Sequence, residues 1–164
     1  MQFIQKWDQR TSHFCLVHGY NHYQAKISRW ISRTGDGPFY LIVGLALFIC
    51  DGFRGELFLT QTLKAFAIEL PLYLFLKNYF KRERPKNLPS FITPSDRYSL
   101  PSGHTAAAFL MAEMMSTFYP FMFWISFLWA GCISASRLLL GVHYLTDLLV
   151  GAALGFLAAH FILS

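Results

Sequence analysis

The sequence predicts an all-α integral membrane helix bundle, with about five transmembrane helices preceded by an amphipathic interfacial helix. Three observations carry that expectation. Hydrophobic residues make up 54% of the 164 and charged residues 14%, against about 25% charged in an ordinary soluble domain. Mean hydropathy is +0.37, and 17 phenylalanines add more apolar surface than so few charges can screen from water. The apolar residues are also gathered into runs, separated by a small number of polar connections. Disorder is excluded on this composition, and a soluble enzyme is disfavoured. A net charge of +5, in so apolar and aromatic a chain, fits an anionic membrane surface or an anionic substrate better than nucleic acid. No repeat, low-complexity tract or linker interrupts the chain, so one domain over 1–164 is expected, with 1–37 as the amphipathic segment and 38–164 as the helix bundle.

The elements follow in order. Leu16, Tyr20, Tyr23, Ile27 and Trp30 recur at helical spacing, with His18, His22, Lys26, Arg29 and Arg33 on another face, which suits a helix lying among headgroups. Residues 1–37 carry a charge or histidine every few positions, so no cleavable leader is expected there. A first, short span is predicted over 38–50. The second, 57–76, contains Lys64, Glu69 and Pro71 and is expected to face protein on one side. After a polar connection over 77–100 come spans at 104–118, 121–135 and 145–163. The last is rich in small residues, Gly151, Ala152, Ala153 and Gly155, that permit close helix contact. Cys15, Cys50 and Cys132 have no paired spacing and read as packing residues.

Alternation of the spans puts the connections 77–100 and 136–143 on the same membrane face as the N-terminal helix. Of the 14 basic residues, all but Arg54 and Lys64 fall on that face. The positive-inside rule favours the cytoplasmic side for it, although the sequence leaves the membrane face open.

Those two connections hold three motifs. The first is Lys77, six intervening residues, then Arg84 and Pro85; the second is Pro101-Ser102-Gly103-His104; the third is Ser136-Arg137, five residues, His143, three residues, Asp147. With these residues the chain resembles the type-2 phosphatidic acid phosphatase superfamily, which includes bacterial membrane lipid phosphatases and the vanadium haloperoxidases. The resemblance is detailed from Lys77 to Asp147 and looser over the spans, and one leading span fewer than in the six-span members is expected. It implies hydrolysis of a lipid phosphate in a bacterial inner membrane.

The residue types explain themselves chemically. A phosphoryl group in transfer needs its oxygens neutralised, and Lys77, Arg84 and Arg137 supply cations, the arginines with bidentate donors. Ser102 and the amides of Gly103 and His104 open a span, where helix N-terminal donors bind anions. His143 and Asp147 share a helical face, so the carboxylate is expected to hold Nδ1–H and turn Nε2 toward phosphorus as the nucleophile of a phosphohistidine pathway. His104 is expected to be the general acid, then the base that activates water. The resemblance implies the same roles. No metal and no cofactor is expected.

The expected partners are membrane lipids and a lipid phosphate or pyrophosphate, whether phosphatidylglycerol phosphate, phosphatidic acid, a polyprenyl phosphate or pyrophosphate, or lipid A, and no nucleic acid. Two other readings share these residues: haloperoxidase chemistry, which the spans and small size disfavour, and a non-catalytic transporter or scaffold for anionic lipid, which does not need His104, His143 and Asp147. His18 and His22 read as interfacial rather than metal-binding, and His13 and His160 have no assigned role. Lys81, Arg82 and Lys86 are equally suited to lipid phosphates or to marking the membrane boundary. Glu69 and Glu113 lie at similar depth below the site and are expected to serve packing or a tunnel.

Overall fold

Small residues decide how closely the helices of this chain approach one another. The computed structural model describes residues 2–85, 88–94 and 96–164, without the side chains of 2–4. Among these the regular elements are all helical: α1 Gln2–Leu16, α2 Asn21–Arg33, α3 Gly37–Cys50, α4 Gly52–Phe80, α5 Gly103–Phe118, a 3-10 turn Pro120–Met122, α6 Phe123–Leu139 and α7 Leu145–Leu163.

The local causes are visible in the sequence. Pro38 occupies the first turn of α3, where its missing N–H costs nothing. Lys81, with φ +46°, stops α4 in a left-handed conformation. Extended backbone at Ser102 opens α5, and the Asp147 carboxylate accepts the Tyr144 N–H at 2.8 Å where α7 begins.

Helix α5 packs against α4, α6 and α7, while α3 leans on α4 and α2 on α6. Phe58, Leu110 and Met114 form the centre of the largest apolar cluster, joined by Ala65, Ala158 and Ala159. The outer faces remain apolar: Trp124 is 81% exposed and Phe161 69%. Such a surface suits hydrocarbon, not water. The small residues of α7 act as expected, since a Cβ at Gly151 would meet the Ser102 carbonyl oxygen at 2.6 Å and one at Gly155 would collide with the Ala106 carbonyl.

Two helical stretches, Pro120–Leu139 and Leu145–Leu163, are long and apolar enough to cross a membrane. A third arises if α2 and α3, bent by 45°, count together. The expected five crossings are therefore not reached on length and composition. α3 and α5, at 14 and 16 residues, are short, and at 1.5 Å per residue α3 covers about 21 Å of a roughly 30 Å core. α4 has the length but carries Lys64 and Glu69 within it.

The N-terminal segment also departs from expectation. One amphipathic helix becomes two, broken near His18 and Gly19, and Leu16 ends α1, fully buried. α2 turns Ala25, Ser28 and Ser32 inward. Tyr20, just ahead of it, and its own Tyr23, Ile27 and Trp30 stay exposed, because only the smaller side chains allow close contact with α6. On the cationic face, Arg29 donates to the Phe91 carbonyl at 2.6 Å and the His22 ring meets Phe91 edge-on at 5.6 Å.

Arg82 fixes this arrangement. Its guanidinium donates to Asp147 at 2.7 Å and to Asp8 of α1 at 2.6 Å, and lies 4.4 Å over the Tyr144 ring. Asp8 also accepts the Thr146 N–H at 3.1 Å. Arg82 therefore contacts no lipid through this group: it ties α1 to the start of α7. Lys81 is exposed, and Lys86 lies outside the described residues.

Two outcomes follow. Replacing Arg82 by Met leaves two fully buried carboxylates without their cation and should lower unfolding stability by about 3–5 kcal/mol, measured by thermal melting in detergent. Gly155→Val should cost about 1–3 kcal/mol by forcing α5 from α7; an unchanged melting temperature in either variant contradicts the packing described.

Candidate active site

The three motifs meet at one end of the bundle, around a cavity of about 490 Å³. Arg84, Gly103, His104, Arg137 and His143 line it. Each comes from a different place: Arg84 from the connection after α4, Gly103 and His104 from the first turn of α5, Arg137 from the last turn of α6, His143 from the connection before α7.

His143 is almost fully buried, and its two ring nitrogens are distinguished by their surroundings. Nδ1 lies 2.8 Å from the Ser99 carbonyl oxygen, which can only accept, so Nδ1 carries the proton. Nε2 then holds the lone pair and faces the Arg84 guanidinium at 3.3 Å. Burial, with Arg84 and Arg137 nearby and Asp147 opposing, lowers the imidazole to about 4, from an ordinary value of about 6.5. The ring is neutral near pH 7, with its lone pair directed into the cavity.

Asp147 differs from expectation. Its carboxylate is 3.8 Å from Nδ1 of His143, because Arg82 and the Tyr144 N–H already hold its oxygens. The Ser99 carbonyl takes the hydrogen bond instead. Asp147 remains as a negative charge behind the ring.

The cations have a partner that the motifs do not contain. Asp96 accepts from Lys77 at 2.7 Å and from Arg84 at 2.5 Å, and the Tyr73 hydroxyl joins at 2.9 Å. Tyr73 also accepts from Lys77. Burial works against ionisation of Asp96, but Lys77, Arg84 and Tyr73 hold it at about 2. Arg84 is further fixed by the carbonyls of Asp96, 3.1 Å, and Val142, 2.5 Å. Arg137, 4% exposed, donates one Nη to the Ser32 hydroxyl at 2.7 Å, while its Nε is buried with no partner.

His104 is paired too. Its Nε2 lies 2.9 Å from the carboxylate of Asp36, just ahead of α3, and Nδ1 has no hydrogen bond among the described residues. Ser102 stands behind the cavity wall, fully buried, its Oγ accepting from Thr105 at 3.0 Å and its N–H donating to the Asp147 backbone carbonyl at 3.1 Å. No side chain caps α5, so its first-turn amides remain available to an anion. Lys77 also sits behind the wall, held by Tyr73 and Asp96. Of the eight residues singled out from sequence, five thus line the cavity, and Lys77, Ser102 and Asp147 support it. Asp96, Asp36, Tyr73 and the Ser99 carbonyl are the additions.

Glu113 faces His160 at 3.7 Å rather than Glu69 or Lys64. Glu69 lines the cavity. No cluster of three metal-binding side chains occurs among the described residues.

Comparison with known proteins agrees with this geometry. The chain is 31% identical over 98 residues to a lipid A 4'-phosphatase of Porphyromonas gingivalis, an alignment that takes in 54% of this chain and 42% of that protein. The chain therefore spans under half the length of this curated relative. The fold is similar to the crystal structure of a transmembrane PAP2 type phosphatidylglycerolphosphate phosphatase from Bacillus subtilis, with a TM-score of 0.79 and 25% identity over 99% of this chain and 85% of the other. It is also similar to Aquifex aeolicus LpxE, with a TM-score of 0.82 and 26% identity over 94% and 93% of the two chains. The family model for the PAP2 superfamily matches residues 57–164, the part that holds all three motifs, and the chain belongs to that superfamily.

Proposed function

We propose that the chain is a membrane-embedded phosphatase that hydrolyses a lipid phosphate or pyrophosphate through a phosphohistidine and releases inorganic phosphate. The observation that carries this reading is His143: Nδ1–H held by the Ser99 carbonyl, Nε2 turned toward Arg84 and the cavity. A mere anion-binding surface does not need a nucleophile fixed in one tautomer.

In the first step the Nε2 lone pair attacks phosphorus and the bond to the lipid oxygen breaks as His104 gives that oxygen its proton. In the second, His104 takes a proton from water, whose oxygen attacks the phosphohistidine and breaks the P–N bond. Arg84, Arg137 and the open amides of α5 neutralise the phosphoryl oxygens. Asp36 orients His104. Asp147, 3.8 Å behind His143, favours the positive charge that the ring acquires once Nε2 is bonded to phosphorus.

Five crossings, α3 to α7, with α1 and α2 at the interface, fit the apolar outer faces. The basic residues gathered at the site's end support a cytoplasmic site. The named relatives act on lipid A and phosphatidylglycerol phosphate, and a substrate of that class suits this cavity.

With purified protein in detergent, His143→Ala should abolish phosphate release, and His104→Ala should slow it by about 10²–10⁴-fold. A chelator should leave the rate unchanged, since side-chain cations do the neutralising, and vanadate should inhibit as a mimic of five-coordinate phosphorus. Full turnover by folded His143→Ala protein refutes the reading. The lowered value for His143 gives a separate test: protonation removes the nucleophile only near pH 4, so its ring signals in labelled-histidine NMR should titrate near 4. A midpoint above 6 contradicts the described environment.

A further inference from the structure

Away from the histidines, the cavity runs on between α3, α4 and α5. Its wall there is hydrocarbon, from Leu41, Leu59, Leu63 and Phe66, interrupted by one carboxylate. Glu69 is 4% exposed, and no hydrogen bond or ion pair reaches it among the described residues. It is not sealed in the core, because it forms part of the cavity lining. Lys64, the basic residue nearest in sequence, lies on the exposed side of α4.

The position of Glu69 says what it can meet. Thr62, Phe66, Glu69 and Tyr73 fall on one face of α4, all lining the cavity, and Tyr73 already touches Lys77 and Asp96. Glu69 is about 6 Å deeper than Tyr73 along the helix axis and about 12 Å deeper than Lys77. Arg84, Arg137 and Glu69 line one cavity, so a lipid whose phosphate sits at the arginines and whose body follows the cavity would pass Glu69. Two further polar groups in this wall, the Thr62 and Tyr40 hydroxyls, are buried without partners among the described residues, with the Tyr40 ring stacked on Phe66 at 6.1 Å. A plain hydrocarbon chain would strip water from Glu69 and offer nothing in return, which is costly for any buried polar group and more so for a carboxylate. A chain with an O–H or N–H at that depth satisfies it.

We propose that this cavity selects lipid phosphates whose acyl chain carries a hydrogen-bond donor, a hydroxyl or an amide N–H, close to its head end, and that Glu69 accepts that donor. The proposal rests on the phosphatase reading for its site but concerns specificity, not chemistry. Sites built to bond a hydroxyl discriminate against its absence far more strongly than apolar pockets discriminate by size.

The test uses the full chain in detergent and two lipid phosphates of equal chain length and identical headgroup, one hydroxylated near the acyl carbonyl and one not. The wild type should favour the hydroxylated lipid by about tenfold or more in kcat/KM. Glu69→Gln, which still accepts a hydrogen bond, should retain a preference, and Glu69→Leu should bring the ratio to about one. A purely structural role would lower both rates and leave the ratio in place. The same pair compared by ligand-induced thermal shift gives a binding ratio that needs no turnover. Equal treatment of the two lipids by the wild type, or an intact ratio in Glu69→Leu, overturns the proposal. Hydrolysis of neither lipid would remove the phosphatase reading alone, with the binding ratio still deciding the role of Glu69.

Discussion

Lys77, Arg84 and Arg137 are brought together at one end of an apolar bundle, where each loses hydration and repels the others. Much of the surrounding structure answers that cost. Asp96 bridges Lys77 and Arg84, and the carbonyls of Asp96 and Val142 absorb further donors of Arg84. Among the described residues Arg137 bonds only the Ser32 hydroxyl, and its Nε has no partner. Compensation is thus deliberately incomplete on the side of the cavity. Asp96 answers Lys77 and Arg84 but makes no bond to Arg137, which leaves positive charge on the cavity side for an anion.

The second constraint is mechanical. Ser102 and Asp147 stand at the starts of α5 and α7, and the glycines of α7 let the two helices touch backbone to backbone. The Ser102 N–H to Asp147 carbonyl bond crosses that contact. His104 therefore belongs to the same rigid unit as the segment carrying His143. Arg82 completes it by joining Asp147 to Asp8, so α1 is held through the same carboxylate that stands behind His143.

Side-chain chemistry confined to short spacing was legible in the sequence. The proposed phosphoryl transfer demands cations, a nucleophile and a proton donor, and the residues proposed to provide them lie within three short segments. The all-helical character was legible for a related reason, since apolar runs of this length have few other uses. What escaped detection acts across distance or through the backbone. The Ser99 carbonyl orients His143, and any residue at that position offers a carbonyl. Asp96 and Asp36 lie in connections with no periodicity to mark them, and the Asp8–Arg82 pair joins positions 74 residues apart. The N-terminal segment was legible as amphipathic but not as two helices, because the break near His18 and Gly19 leaves the apolar spacing almost unchanged.

Arg82 and Arg84 show how neighbours in one motif divide the work. Both are charged, partly buried and two residues apart, but their side chains reach different partners, Asp8 and Asp147 for Arg82, Asp96 and the Val142 carbonyl for Arg84. Arg82 meets two carboxylates that are both fully buried, so its charge is more than neutralised and it has none to offer a ligand. Arg84 shares one carboxylate with Lys77 and faces His143 across 3.3 Å. The surplus of negative charge around Arg82 lies behind His143, and the surplus of positive charge around Arg84 lies in front of it. In the proposed reaction, attack on phosphorus would move electron density from His143 toward the phosphoryl oxygens, in the direction that this arrangement of charges already favours.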